Sequence, residues 1–218
     1  MKGKPIIALT GFMGVGKSSA GAELAKLARG SFIDLDKEIE KAGGERIEDI
    51  FQEKGEKFFR SLEYETLRKI FGESLESKNF KAGGAKNGNF EDDNLESGSG
   101  AETQKTLVVA LGGGSVLNRK VRALLAEQAL TVYLKAKAST LAENIRLTGT
   151  TKRPLLKDIE RGDVDKMCER ISSLLAEREE AYMEVADIVV VTDGLDMEAI
   201  ARATFEKLQI DKGRAALA

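Results

Sequence analysis

The 218-residue sequence contains no histidine, the side chain most often used for proton transfer near neutral pH. Any proton transfer must therefore use carboxylates, lysine or the substrate itself. Its single cysteine, Cys168, excludes an internal disulfide framework. Neither sign of charge dominates, because 34 Lys and Arg face 36 Asp and Glu for a net charge of −2. General nucleic-acid and membrane-surface binders need a basic excess, so both classes are set aside. No apolar stretch approaches the roughly 20 residues that span a bilayer. The opening Met-Lys-Gly-Lys leads straight into a short apolar run and lacks a signal-peptide core. These absences predict a cytoplasmic protein without a nucleic-acid or membrane partner.

What is present is an ordinary globular composition, 42% hydrophobic and 32% charged, in a chain long enough for one well-packed domain. Apolar runs predict buried strands over 5–10, 31–35, 106–111, 130–135 and 187–192. Helical apolar spacing occupies 17–28, 47–71, 118–127, 138–147 and 164–185, and a last helix is predicted over 196–208. The alternation predicts an α/β fold with a five-stranded parallel sheet covered by helices on both faces. Ligands in such folds collect at the carboxyl ends of the strands. Residues 72–105 break the pattern, being rich in Gly, Asn, Ser and charge. They are expected to form a flexible insertion on the face away from the ligand site.

Residues 11–18 read Gly-Phe-Met-Gly-Val-Gly-Lys-Ser, a complete G-x-x-x-x-G-K-[ST] loop between a predicted strand and a predicted helix. In that context the backbone of Gly14, Val15, Gly16, Lys17, Ser18 and Ser19 would wrap the phosphates of ATP at a helix N-terminus. Lys17 would neutralise the β- and γ-phosphates, and the Ser18 hydroxyl would ligate Mg²⁺.

Other predicted strand ends carry further chemistry. Asp34-Leu-Asp36 ends the second strand, and strand alternation would put both carboxylates on one side of the chain. Asp34 would hold Mg²⁺ through water, while Asp36 would accept hydrogen bonds from substrate hydroxyls. A plain helix N-cap is the competing reading, since Lys37-Glu-Ile-Glu can start a helix. Arg60 and Glu63 stand three apart, close enough on a helix for the carboxylate to orient the guanidinium toward an anion. An ordinary surface ion pair is the alternative. Gly112-Gly113-Gly114 would leave bare backbone at the third strand's end, where a ligand can approach closely. Arg146 and Arg153 bracket a short basic loop that reads as a lid, and Arg178 with Tyr182 one helical turn on could add a second cation. With Phe51 and Phe59, this set describes a small anionic polyol with an apolar ring face as the acceptor.

In order along the chain, these pieces resemble the shikimate kinases. The resemblance rests on Gly11 to Ser18, Phe-Ile-Asp34-Leu-Asp36, Ile-Phe51 through Gly55-Glu and Phe59-Arg60-Ser-Leu-Glu63. It continues with Gly112-Gly-Gly114, Arg146, Arg153-Pro-Leu-Leu, Arg178-x-x-x-Tyr182 and Val-Val-Thr192-Asp193. It implies a single P-loop kinase domain like the nucleoside-monophosphate kinases, with a substrate-binding subregion over 34–63 and a lid over 146–165. It further implies transfer of the ATP γ-phosphoryl group to the 3-hydroxyl of shikimate, with Mg²⁺, by a monomer.

Roles follow for the matching positions. Lys17 and Arg153 would act on the transferring phosphate, with Asp36 orienting or deprotonating the attacking hydroxyl. Asp36, Phe51, Phe59, Arg60, Gly112, Gly113, Gly114 and Arg178 would form the shikimate site. Ser18 and Asp34 would supply the Mg²⁺ shell, and Arg146 would stack on adenine. Two rivals stay open: a sister kinase, such as one for gluconate, and a non-catalytic nucleotide-binding regulator. The regulator should have lost Lys17, Asp36 or Arg153, and all three are present.

Overall fold

The computed structural model describes residues 6–76, 106–148, 156, 159 and 163–216, with side chains to residue 210. Five strands form one parallel sheet: β1 (Ile6–Thr10), β2 (Ser31–Asp34), β3 (Leu107–Ala110), β4 (Ala129–Lys135) and β5 (Ile188–Val191). Their order across the sheet is β2-β3-β1-β4-β5. All four pairings are parallel, as the apolar runs separated by helices predicted.

Among the described residues there are seven α-helices: α1 (Lys17–Leu27), α2 (Leu35–Gly43), α3 (Ile47–Glu76), α4 (Arg119–Gln128), α5 (Ala138–Thr148), α6 (Val164–Val185) and α7 (Met197–Ala216). Because strand residues alternate faces, β1 feeds two cores. Ile7 and Leu9 join α1, α5 and α7 on one face, while Ile6 and Ala8 join α2, α3 and α4 on the other. Thus β1 sends its helix to one face and its neighbour β3 sends α4 to the opposite face. Their loops diverge, which opens a crevice between β1 and β3 at the carboxyl end of the sheet.

The structure corrects several predicted boundaries. β2 stops at Asp34, and Leu35 begins a nine-residue helix, α2, absent from the predicted set. Leu35 and Ile39 are fully buried, so this helix is fixed by packing of two residues one turn apart. Helix α3 extends to Glu76 and so takes in the first five residues of the expected insertion. It is broken at Gly55, whose φ of 79° lies outside helical space. The rest of the expected insertion lies outside the described residues.

Candidate active site

The phosphate loop runs from the end of β1 into α1. Gly16, the residue before α1, adopts φ 92°, and no side chain caps the helix. The first-turn N–H groups of Lys17, Ser18 and Ser19 therefore face outward with the positive end of the helix dipole, where an anion is favoured. Lys17 Nζ donates to the carbonyls of Gly11 at 2.8 Å and Phe12 at 3.0 Å, which holds the ammonium over the loop. From α5, Asn144 Nδ2 donates to the Gly14 carbonyl at 3.0 Å.

The glycine triplet follows β3, which lies between β1 and β2, and each glycine meets a different part of the site. A Cβ on Gly112 would stand 2.9 Å from Asp36 Oδ1 and 3.2 Å from Glu63 Oε1. One on Gly113 would stand 3.2 Å from the Met13 nitrogen of the phosphate loop. One on Gly114 would stand 2.6 Å from an Arg60 guanidinium nitrogen. Side chains are missing here because acid, cation and phosphate loop all press on the same three residues.

Asp36 stands in the first turn of α2, with Asp34 as the cap: Asp34 Oδ1 accepts the Asp36 N–H at 3.1 Å. The two carboxylates therefore do not alternate along one strand, as expected from the sequence, but stand at a strand end and a helix start. The N-cap reading holds for Asp34, and one of its oxygens is committed to that task. Although Asp36 keeps exposed surface, crowding by protein raises its pKa to about 6. Desolvation is the main cause, Asp34 and Glu63 add to it, and Lys17 opposes it.

Arg60 is held on several sides. Its guanidinium donates to Glu63 Oε2 at 2.9 Å and lies 5.2 Å from the Phe59 ring, which packs 4.5 Å from Phe51. Glu63 is fully buried, and its other oxygen accepts the Ser115 hydroxyl at 2.6 Å. The pair is thus no loose surface contact: a desolvated carboxylate with both oxygens engaged fixes the arginine. Asn118 also donates to the Arg60 carbonyl at 3.2 Å. Outside this arrangement, a groove of about 460 Å³ between α3 and the turn before α4 shares Arg60 with the site.

Helix α6 contributes a second arginine and a tyrosine. Arg178 is only 7% exposed and lies 5.6 Å from the Phe12 ring. Tyr182, fully buried, donates its hydroxyl to the Gly113 carbonyl and stacks on Tyr133 at 5.0 Å. Burial pushes the Tyr182 pKa up to about 12 against the pull of Arg178 and Arg60. Both arginines consequently stand within electrostatic reach of one hydroxyl beside the triplet.

Comparison with known proteins agrees with this geometry. A family model described as shikimate kinase matches residues 13–85 and 80–209. A shikimate kinase of Chlorobium limicola is 38% identical over 198 residues, covering 88% of this chain and 81% of the relative. The chain belongs to the shikimate kinase family. A second shikimate kinase, from Chlorobaculum tepidum, is 35% identical over 96% of this chain and 93% of its own length. Among solved structures, shikimate kinase from Acinetobacter baumannii in complex with shikimate is similar with a TM-score of 0.74 and 26% identity. That similarity covers 95% of this chain and 94% of the other. The protein is accordingly a phosphotransferase that uses ATP and Mg²⁺ and acts on a hydroxyl of shikimate.

In the cleft, the predicted residues Lys17, Asp36, Phe51, Phe59, Arg60, Gly112 to Gly114 and Arg178 are joined by the contacts above. Ser18 and Ser19 are exposed in the first turn of α1. Arg146, in the last turn of α5, is bound twice by Glu143, at 2.6 and 2.8 Å. Arg153 and most of the expected lid lie outside the described residues. No helix among the described residues is long and apolar enough to cross a membrane. Sequence reading missed Ser115, Asn144 and Phe12. Ser115 follows the triplet directly, which is the signal that could have drawn it in.

The donor set suits Mg²⁺, which keeps several waters and takes phosphate oxygens alongside one or two protein groups. The exposed Ser18 hydroxyl and the second oxygen of Asp34 are such groups.

Proposed function

We propose that the residues gathered around Gly112 to Gly114 form the acceptor site and that the loop at 11–18 presents the donor. What carries this reading is the pair of close approaches on the triplet, Asp36 Oδ1 at Gly112 and the Arg60 guanidinium at Gly114. Two residues of chain span at most about 7 Å, so acid and cation can engage opposite sides of one small ring.

Arg60 and Arg178 bind the carboxylate of shikimate, and Phe51 and Phe59 face its ring. The glycine backbone allows the ring hydroxyls close approach. Asp36 is ionised at neutral pH with a pKa of about 6, so it accepts a hydrogen bond from the 3-hydroxyl and aims its oxygen at the γ-phosphorus. A loose phosphoryl-transfer transition state asks for little more from a base than this positioning. On the donor side, Lys17 and the first-turn N–H groups of α1 bind the β- and γ-phosphate oxygens. Ser18 and Asp34 would hold Mg²⁺, which would supply charge neutralisation to the phosphates. Arg153 is assigned to the transferring phosphate and Arg146 to the adenine face.

An ADP-release assay with shikimate, gluconate and nucleoside monophosphates as acceptors tests the reading. Turnover is expected with shikimate alone; turnover only with the others would overturn it.

A further inference from the structure

The Phe12 side chain occupies a variable position of the phosphate-loop pattern, where any residue satisfies the motif. It is buried in the core. Its ring is 1% exposed, belongs to the core beneath α5 and α6, and lies 5.6 Å from the carbon centre of the Arg178 guanidinium. Its main-chain carbonyl meanwhile accepts Lys17 Nζ at 3.0 Å and the Val15 N–H at 3.4 Å. The next residue, Met13, brings its nitrogen against Gly113, whose carbonyl is held by Tyr182 from the same helix as Arg178.

We infer that Phe12 is a positioning residue of the acceptor site, its ring acting as the platform that sets Arg178 against the substrate carboxylate. The inference rests on the assignment of Arg178 to that carboxylate. A nearly buried guanidinium needs compensation for lost water, and an aromatic face supplies it without competing for the donors that bind the ligand. The Tyr182 hydroxyl is a hydrogen-bond partner of Arg178 and lies within electrostatic reach of Arg60. The ring of Phe12 therefore adds an aromatic support to a guanidinium whose polar partner is Tyr182. Its backbone serves the nucleotide half and its side chain the acceptor half, so the two functions can be separated by substitution.

Phe12→Leu keeps the backbone contacts to Lys17 and removes the aromatic face. The shikimate KM should rise about three- to tenfold, while the ATP KM stays within about twofold. Phe12→Tyr, which restores the ring, should return the shikimate KM to near the starting value. If Phe12→Leu folds too weakly to assay, Phe12→Met makes the same comparison with a side chain of similar volume. An unchanged shikimate KM, an equal rise in both KM values, or failure of Phe12→Tyr to rescue would overturn the inference. Arg178→Met is measured alongside. If it leaves the shikimate KM unchanged, the site assignment itself has failed; if it raises KM while Phe12→Leu does not, only the role of Phe12 has failed.

Discussion

Asp36 stands where desolvation and the Asp34 carboxylate favour its proton while Lys17 favours its charge, and the first two prevail. A carboxyl whose folded-state pKa lies above its ordinary value holds its proton more tightly in the native protein. Its ionised form therefore works against folding, increasingly so as pH rises from the ordinary value through about 6. In the proposed mechanism function runs the other way, because it is the ionised form that accepts the hydrogen bond of the shikimate hydroxyl. Shikimate affinity of the protein without nucleotide or metal should fall as pH drops through about 6. In Asp36→Asn that dependence should flatten and affinity should be low throughout. Calorimetric titrations between about pH 5 and 8 check both; a flat profile for the unaltered protein would refute the assignment of Asp36.

Among the secondary-structure elements, α2 shows why one part of the site was legible and its geometry was not. Asp34-Leu-Asp36 was recognisable as a pair of acids after a strand. Period-two reasoning failed because Leu35 already belongs to a helix, and that helix forms to bury Leu35 and Ile39 rather than through any strong local signal. The break at Gly55 was also missed, since the apolar spacing continues across it. Local pairs fared better: Arg60 and Glu63, three apart on one helix, meet as expected.

What spacing could not reveal is that Glu63 is fully buried and tied to Ser115, a partner 52 residues away. The triplet that joins these elements gives a direct check. A Cβ on Gly114 must displace the Arg60 guanidinium, a charged group already anchored by Glu63. Gly114→Ala should therefore raise the shikimate KM at least about tenfold, leaving ATP binding nearly unchanged. Equal effects on both substrates in steady-state kinetics would show that the triplet serves the nucleotide instead.

Across the whole molecule, sheet order and the path of α6 make the site. β3 lies between β1 and β2, so the triplet stands between the phosphate loop and the α2–α3 region that carries Asp36 and Arg60. Helix α6 passes from one core to the other: Met167, Ile171 and Leu174 pack with α1 and α5, and Tyr182 packs with α3 and α4. Arg178 lies between those two stretches, and it bears on the same Tyr182 hydroxyl as Arg60. Alternating strands and helices made the parallel sheet readable from the sequence, but strand order is set by packing and left no local mark.

Two arginines held by separate elements, each backed by an aromatic ring, should capture the acceptor without touching the donor. Parallel calorimetric titrations of Arg60→Ala with shikimate and with ATP test this most directly. Shikimate binding should be lost or weakened at least about a hundredfold while ATP affinity stays nearly intact. Equal loss of both ligands, or undiminished shikimate binding by a folded Arg60→Ala protein, would contradict the account.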